Sequence, residues 1–152
     1  MVRHLREVWG SYLSPMLQRP KRLQVAALCY RDRGDDREVL LVTSRDTGRW
    51  IIPKGWPIRG LSSPEAAMQE AWEEAGVSDG HLETESIGTY TYDKTLRSGL
   101  PVAVETLVYS VEVENLEEDF PEAQERRRKW VSPSDAAGLV QESELKSIFR
   151  TL

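Results

Sequence analysis

Cysteine is all but missing. Cys29 is the only one in 152 residues, so no intramolecular disulfide forms and a reducing cytoplasm is the expected compartment. Histidine is nearly as scarce. His4 and His81 lie far apart without a cysteine cluster, which sets aside a structural zinc site, and neither has an obvious Ser partner for a nucleophilic triad. No apolar run approaches the roughly 20 residues that a membrane span requires. The first residues lack the apolar core of a secretory leader. Positive charge is not in excess. Twenty Lys and Arg stand against 25 Asp and Glu, a net charge of -5, which argues against nucleic acid as a partner. Internal repeats and low-complexity runs are also lacking. What remains is 39% hydrophobic and 30% charged residues, the balance of a globular chain long enough to bury a real core in one domain.

Periodicity divides the chain into elements. Leu5, Val8, Trp9, Tyr12, Leu13, Met16 and Leu17 recur at helical spacing, which predicts an amphipathic segment over residues 1–20. Its apolar face needs a cover: the sheet of the same domain, or a second copy of the chain. Monomer and homodimer both stay open. Gly10 weakens this helix and Pro15 ends or kinks it. Residues 21–152 read as one domain. Strands are expected at 23–30 and 38–44, joined as a hairpin through the polar turn 31–36. A short extended piece follows at 50–52. A second hairpin is expected from 86–93 and 102–113, and a last strand from 126–131. Residues 115–125 read as an acidic loop. A short helix begins near Ser132, and Leu145, Ile148, Phe149 and Leu152 mark a terminal helix packed on the core.

The remaining stretch, PKGWPIRGLSSPEAAMQEAWEEAGV at 53–77, carries the chemistry. Ser63 as N-cap, Pro64 in the first turn and Gly76 as left-handed terminator predict a helix over 63–75. Ala67, Met68, Ala71, Trp72 and Ala75 fall on one side. Glu65, Gln69, Glu70, Glu73 and Glu74 fall on the other. At about 100° per residue, the last three carboxylates share an arc of roughly 100° and a rise of roughly 6 Å. Like charges at this spacing destabilise a helix by a few tenths of a kcal/mol. Near the C-terminus they also oppose the macrodipole. Two readings follow: a solvated outer face that tolerates the repulsion, or a site for a hard divalent cation that converts it into attraction.

The stretch resembles the Nudix box, the signature of the Nudix hydrolases: Gly, five residues, Glu, seven residues, then Arg-Glu-aliphatic-x-Glu-Glu-x-Gly-aliphatic. Gly55 fills the first position. Glu70, Ala71, Glu73, Glu74, Gly76 and Val77 fill the tail at the right spacing, with Ala71 a small substitute for a bulkier aliphatic. Two positions depart: Leu61 stands at the isolated Glu and Gln69 at the Arg. The resemblance implies an α/β fold, an α/β/α sandwich with a mixed sheet, and metal-assisted hydrolysis of a diphosphate bond. It implies magnesium or manganese on Glu70, Glu73 and Glu74, with the backbone carbonyl of Gly55 as a further ligand. In the family the Arg orients the carboxylates by pairing. Its loss together with one acid leaves no orphan charge. Gln69 retains an amide donor for Glu73, and weaker preorganisation of the metal site is the expected consequence.

A polyphosphate needs cations. Lys54, directly before Gly55, is the first choice; Arg22, Arg45, Arg49 and Arg59 are the others, each weighed against a solvated surface. Some of the cations at 126–129 are further candidates. RWIIPKG is similar to the diphosphoinositol polyphosphate phosphohydrolase branch, and PKG also to hydrolases of diadenosine polyphosphates. The general base stays open among Glu73, Glu122 and Glu125. Glu105 is either a buried ligand or the outer end of its strand. The expected partner is a small phosphorylated substrate, with no membrane role. Two other classes remain: a Nudix-fold sensor that binds without turnover, and an interaction protein that uses residues 1–20.

Overall fold

The computed structural model describes residues 22–152. The segment expected at 1–20 lies outside the described residues. Eight strands form one sheet. β1 (Arg22–Arg33) and β2 (Asp36–Thr43) make the expected hairpin. Its two-residue turn opens with Gly34 at φ 63°, a positive φ that glycine adopts without steric cost. β3 (Trp50–Ile51) pairs with β2, and β4 (Lys54–Gly55) pairs with β1. β5 (Val77–Leu82) and β6 (Gly88–Thr95) both run antiparallel to the long β7 (Pro101–Leu116). β8 (Arg128–Val131) returns to β2. β7 lies parallel to β1, from Arg22 opposite Val104 to Tyr30 opposite Glu112. The sheet is therefore mixed, in the order β3-β2-β1-β7-β5.

β1 explains the layering. Val25, Ala26, Ala27, Leu28 and Cys29 are all fully buried, so both faces of the strand are covered, as in the centre of an α/β sheet. On one face Val25, Ala27 and Cys29 pack with Ala66, Ala67, Ala71 and Ala75 of α1 (Ser63–Ala75). On the other, Ala26 and Leu28 join Ala136, Leu145 and Phe149, from α2 (Pro133–Leu139) and α3 (Ser143–Arg150). The α/β/α sandwich is thus built on two cores, one per face. Burial of Leu28, Leu40 or Phe149 is worth about 1.5–3 kcal/mol each.

Three local readings change. The N-cap of α1 is Ser62, not Ser63: its hydroxyl accepts from Glu65 N, and the Glu65 carboxylate accepts from Ser62 N. This reciprocal box satisfies two end donors at once. Ser63 and Pro64 then occupy the first helical turn. Gly76 ends the helix at φ 75° as expected. β5 was not foreseen, because VSDGHL has no apolar alternation. Its pairing comes from the exposed edge of β7 and is irregular around Asp79. Finally, the outer side of α1 is not uniformly solvated, because Glu74 is only 5% exposed.

Candidate active site

The loop from β3 to α1 crosses the end of the sheet, and β4 pins it to β1 with Gly55 opposite Val25 and Lys54 opposite Ala26. α1 lies over this point. A cleft of about 670 Å³ opens between the loop, the last turns of α1 and the loop before β8. Glu70, Glu73, Glu74, Lys54, Gly55 and Arg45 all line it. These side chains, which the helical spacing and the residue before Gly55 singled out, are brought together.

The carboxylates differ in surroundings. Glu70 rests on the backbone of Gly55 so closely that a Cβ there would lie 2.3 Å from Glu70 Oε1. What favours glycine at this position is the close approach of Glu70, not φ. Burial pushes the Glu70 carboxyl up to about 7, assisted by the charges of Glu74, Glu73 and Glu122 and opposed by Arg126. Glu73 accepts a hydrogen bond from Gln69 Nε2 at 3.0 Å, the amide contact expected from the box's Arg-to-Gln exchange. Glu74 is held at both oxygens. Lys54 N donates to Oε1 at 3.1 Å, and Arg126 Nη2 donates to Oε2 at 3.0 Å. Burial still raises the Glu74 carboxyl, and Arg126 is the main opposing influence. Lys54 is pulled down to about 8 by burial, against the attraction of Glu74. Its Nζ lies 5.0 Å from the Tyr92 ring.

The other expected cations divide. Arg45 reaches Glu122 at 3.0 Å and Glu125 at 3.3 Å. Arg49 turns to Glu142 at 2.6 Å, and neither Arg49, Arg22 nor Arg59 lines the cleft. Arg22 starts β1 at its exposed end, and Arg59 is exposed in the loop. Glu105 is half-buried, stands between Leu23 and Thr91 in the sheet, and is also outside the cleft. In the 126–129 run only Arg126 enters the cleft. Arg128 donates to Ala75 O at 2.7 Å, closing the C-terminal end of α1. Arg127 and Lys129 lie over Trp50.

Among the lining residues that sequence reasoning left out are Gln24, Trp56, Tyr92 and Lys94. Tyr92 OH donates to Gln24 Oε1 at 2.5 Å. No local pattern marks them, because three lie on β1, β6 and its end, far from the box. Glu122, one of the open base candidates, does line the cleft, and its N–H donates to Glu73 O at 3.0 Å.

Oxygen donors of this kind suit a hard divalent cation. Glu70, Glu73, Glu74 and the Gly55 backbone supply them, and such a cation relieves the carboxylate repulsion that adds to burial in raising the Glu70 carboxyl. As arranged here, no three acidic side chains among the described residues converge into a closed ligand set. Glu74 lines the same cleft and pairs with Arg126.

The fold and this site define a family. The NUDIX domain model matches residues 20–151, and the chain belongs to the Nudix hydrolases. Among individual relatives, human diphosphoinositol polyphosphate phosphohydrolase 3-beta is 31% identical over 126 residues, 78% of this chain and 68% of that protein. The chloroplastic Nudix hydrolase 21 of Arabidopsis thaliana is 37% identical over 115 residues; the match spans 74% of this chain and only 55% of that one. The C. elegans Ap4A hydrolase structure superposes with TM-score 0.60 at 23% identity, over 86% of this chain and 95% of that one. The NUDIX domain of Shewanella oneidensis NrtR, complexed with ADP ribose, superposes with TM-score 0.64 at 17% identity, over 95% and 96%. At these identities the structural likenesses speak for the fold. Among the described residues, no helix is long and apolar enough to cross a membrane.

Proposed function

We propose that the protein is a cytoplasmic, metal-dependent hydrolase that cleaves the diphosphate bond of a small phosphorylated metabolite. The observation that carries this reading is the cradle: Glu70 seated on Gly55, with Glu73, Glu74 and Lys54 around one cleft. Glu70, Glu73, Glu74 and the Gly55 carbonyl would hold magnesium or manganese. The bound ion supplies Lewis acidity and lowers the pKa of water. The protein's own part is orientation and charge. Lys54 offsets negative charge on the transferred phosphoryl group. An acidic side chain takes the proton from the attacking water as the new P–O bond forms. The bridging P–O bond breaks, and the second phosphate leaves with its organic group. Of Glu73, Glu122 and Glu125, the residues weighed for the base role, Glu73 and Glu122 line the cleft.

The cations of the cleft bear on the substrate. Arg45 and Arg126 are both paired with acids. Among the described lining residues, Lys54 and Lys94 are the cations without an ion pair. That inventory suits a substrate with a few phosphates and a planar organic group better than a densely phosphorylated inositol. Trp56, 40% exposed at the rim with Lys94 Nζ 6.0 Å from its ring, offers a stacking face.

The test is a panel of diadenosine polyphosphates, nucleoside diphosphate sugars, nucleoside triphosphates and diphosphoinositol polyphosphates, assayed with Mg²⁺ and with Mn²⁺. Metal-dependent turnover, lost in Glu70→Gln and Glu73→Gln, is expected. Tight binding of a panel member with no turnover under either metal would replace this reading by a second one. That second reading, a sensor built on the Nudix fold, is favoured by Leu61 and Gln69 at two box positions.

A further inference from the structure

The two faces of the sheet are not covered to the same extent. Along β7, Val102, Val104, Thr106 and Val108 are buried, whereas Ala103, Glu105 and Leu107 between them are only half-buried. From Tyr109 to Val111 every residue is buried. β1 behaves alike. Burial is complete from Val25 to Cys29, but Leu23, two residues earlier on the face of Val25, is 43% exposed. Leu23 stands opposite Glu105, Val25 opposite Leu107, and Leu107 opposite the exposed Thr89 of β6. Val25 and Leu107 pack in the α1 core, so this is the face that carries α1. Among the described residues, α1 covers it over the later part of β1 and leaves a strip open nearer Arg22. Leu82, opposite Val111, carries the strip on to a groove of about 530 Å³ that Leu61, Met68 and Trp72 also line.

We infer that residues 5–17 are the cover of this strip, docking as an amphipathic helix beside α1 of their own chain. The chain outside the described residues ends at Arg22, next to Leu23, so it arrives at the edge of the strip. Residues 18–21 reach at most about 14 Å, which keeps the apolar stripe from Leu5 to Leu17 close to that edge. The dimensions agree. From Ala103 to Val111 the strip runs about 27 Å, and β1, β7 and β6 give it a width of about 10 Å. Residues 5–17 make a helix about 20 Å long and about 10 Å across. Charge agrees as well. Arg3, Arg6, Arg19 and Lys21 stand against Glu7 alone in the first 21 residues, whereas the strip holds Glu105 and, opposite Ala103, Asp93. The opposite face of these strands is already taken by α2 and α3. A tethered segment also faces its site at an effective concentration in the mM range, which favours it over a second copy. Leu23, Glu105, Leu107 and Thr89 do not line the catalytic cleft, so the docking is independent of the hydrolase reading.

Hydrogen exchange of the whole chain, read by mass spectrometry on peptides from residues 5–17, tests this. In the native protein these amides are expected to exchange at least about tenfold more slowly than in an unstructured chain of the same sequence. Leu23→Arg and Thr89→Arg each place a charge of the segment's own sign under its apolar stripe. Either is expected to bring exchange at 5–17 to within about threefold of the unstructured rate. Urea midpoints show that the fold persists, and Thr89→Arg, at an exposed strand position, serves if Leu23→Arg fails to fold. Sedimentation of the same samples gives the oligomeric state. Unprotected amides at 5–17 in a native monomer overturn the inference, since the strip is then open or reserved for another protein. Protection that disappears when a dimer is diluted to monomer also overturns it, by making a second copy the occupant. Protection that survives both arginine variants places the segment elsewhere and has the same effect. None of these readouts uses turnover, so each can fail while the hydrolase reading stands.

Discussion

Substituting Gly55 by Ala separates the site from the fold. The added Cβ would lie 2.3 Å from Oε1, 2.4 Å from Cδ and 2.8 Å from Oε2 of Glu70. Ordinary contact begins at 3.4 Å, so the carboxylate has to retreat by about 1 Å. The backbone has no such difficulty, because Gly55 is absent from the positive-φ glycines and its strand conformation suits alanine. The atoms in the way are the mobile end of a side chain, so the fold yields cheaply. The reduced freedom of the unfolded chain offsets part of that, by about 0.4–1 kcal/mol. We expect a stability change under about 1 kcal/mol, from the urea midpoint. Function should respond differently, since a displacement of about 1 Å at a reacting centre costs on the order of 100-fold. The assay pairs the urea midpoint with Mn²⁺ titration and kcat/KM on whichever panel substrate is turned over. Native metal affinity and turnover in Gly55→Ala would refute the cradle. A loss of several kcal/mol in stability would show that the glycine serves the fold instead.

Three further outcomes follow from the same geometry. Arg49→Met breaks a pair whose Glu142 partner is 6% exposed and leaves a buried carboxylate alone; a loss of about 3 kcal/mol in urea is expected, with turnover per folded molecule within twofold of native. Turnover lost at unchanged stability would return Arg49 to the substrate-binding set. The Glu70 carboxyl rises from 4.5 to about 7 on folding, so the folded state holds its proton more tightly than the unfolded state does. In metal-free protein its contribution is therefore fully present below about pH 4.5, declines as pH rises through 7, and is flat beyond. Discounted for solvent screening, that decline is about 1–2 kcal/mol; Glu70→Gln should remove this part of the pH dependence, and an unchanged profile would contradict it. Trp56→Ala should raise KM about tenfold for nucleotide substrates, with little change for an aliphatic diphosphate; equal effects on both would exclude stacking.

What could be read before any coordinates was local. The helix period placed Glu70, Glu73 and Glu74 on neighbouring positions, and box spacing set Gly55 and Lys54 ahead of them. The apolar run at 23–30 declared a strand, and only the structure showed it covered on both faces. The hairpins and the terminal helix followed from alternation and helical spacing. The N-cap was misplaced by one residue because two serines adjoin, and only the Ser62–Glu65 reciprocity distinguishes them. β5 was missed because its partner, not its own residues, makes it a strand.

The amino-acid order alone determined the family, the helix with its three acids and the residues that flank Gly55, since each depends on neighbours within a turn or two of chain. Tertiary structure alone decided that Glu74 pairs with Arg126, that Arg49 is engaged by Glu142, and that Trp56, Tyr92 and Lys94 line the same cleft. Those relations join residues tens of positions apart. Burial, which makes a charge seek a partner, exists only once the sheet and helices have closed around it.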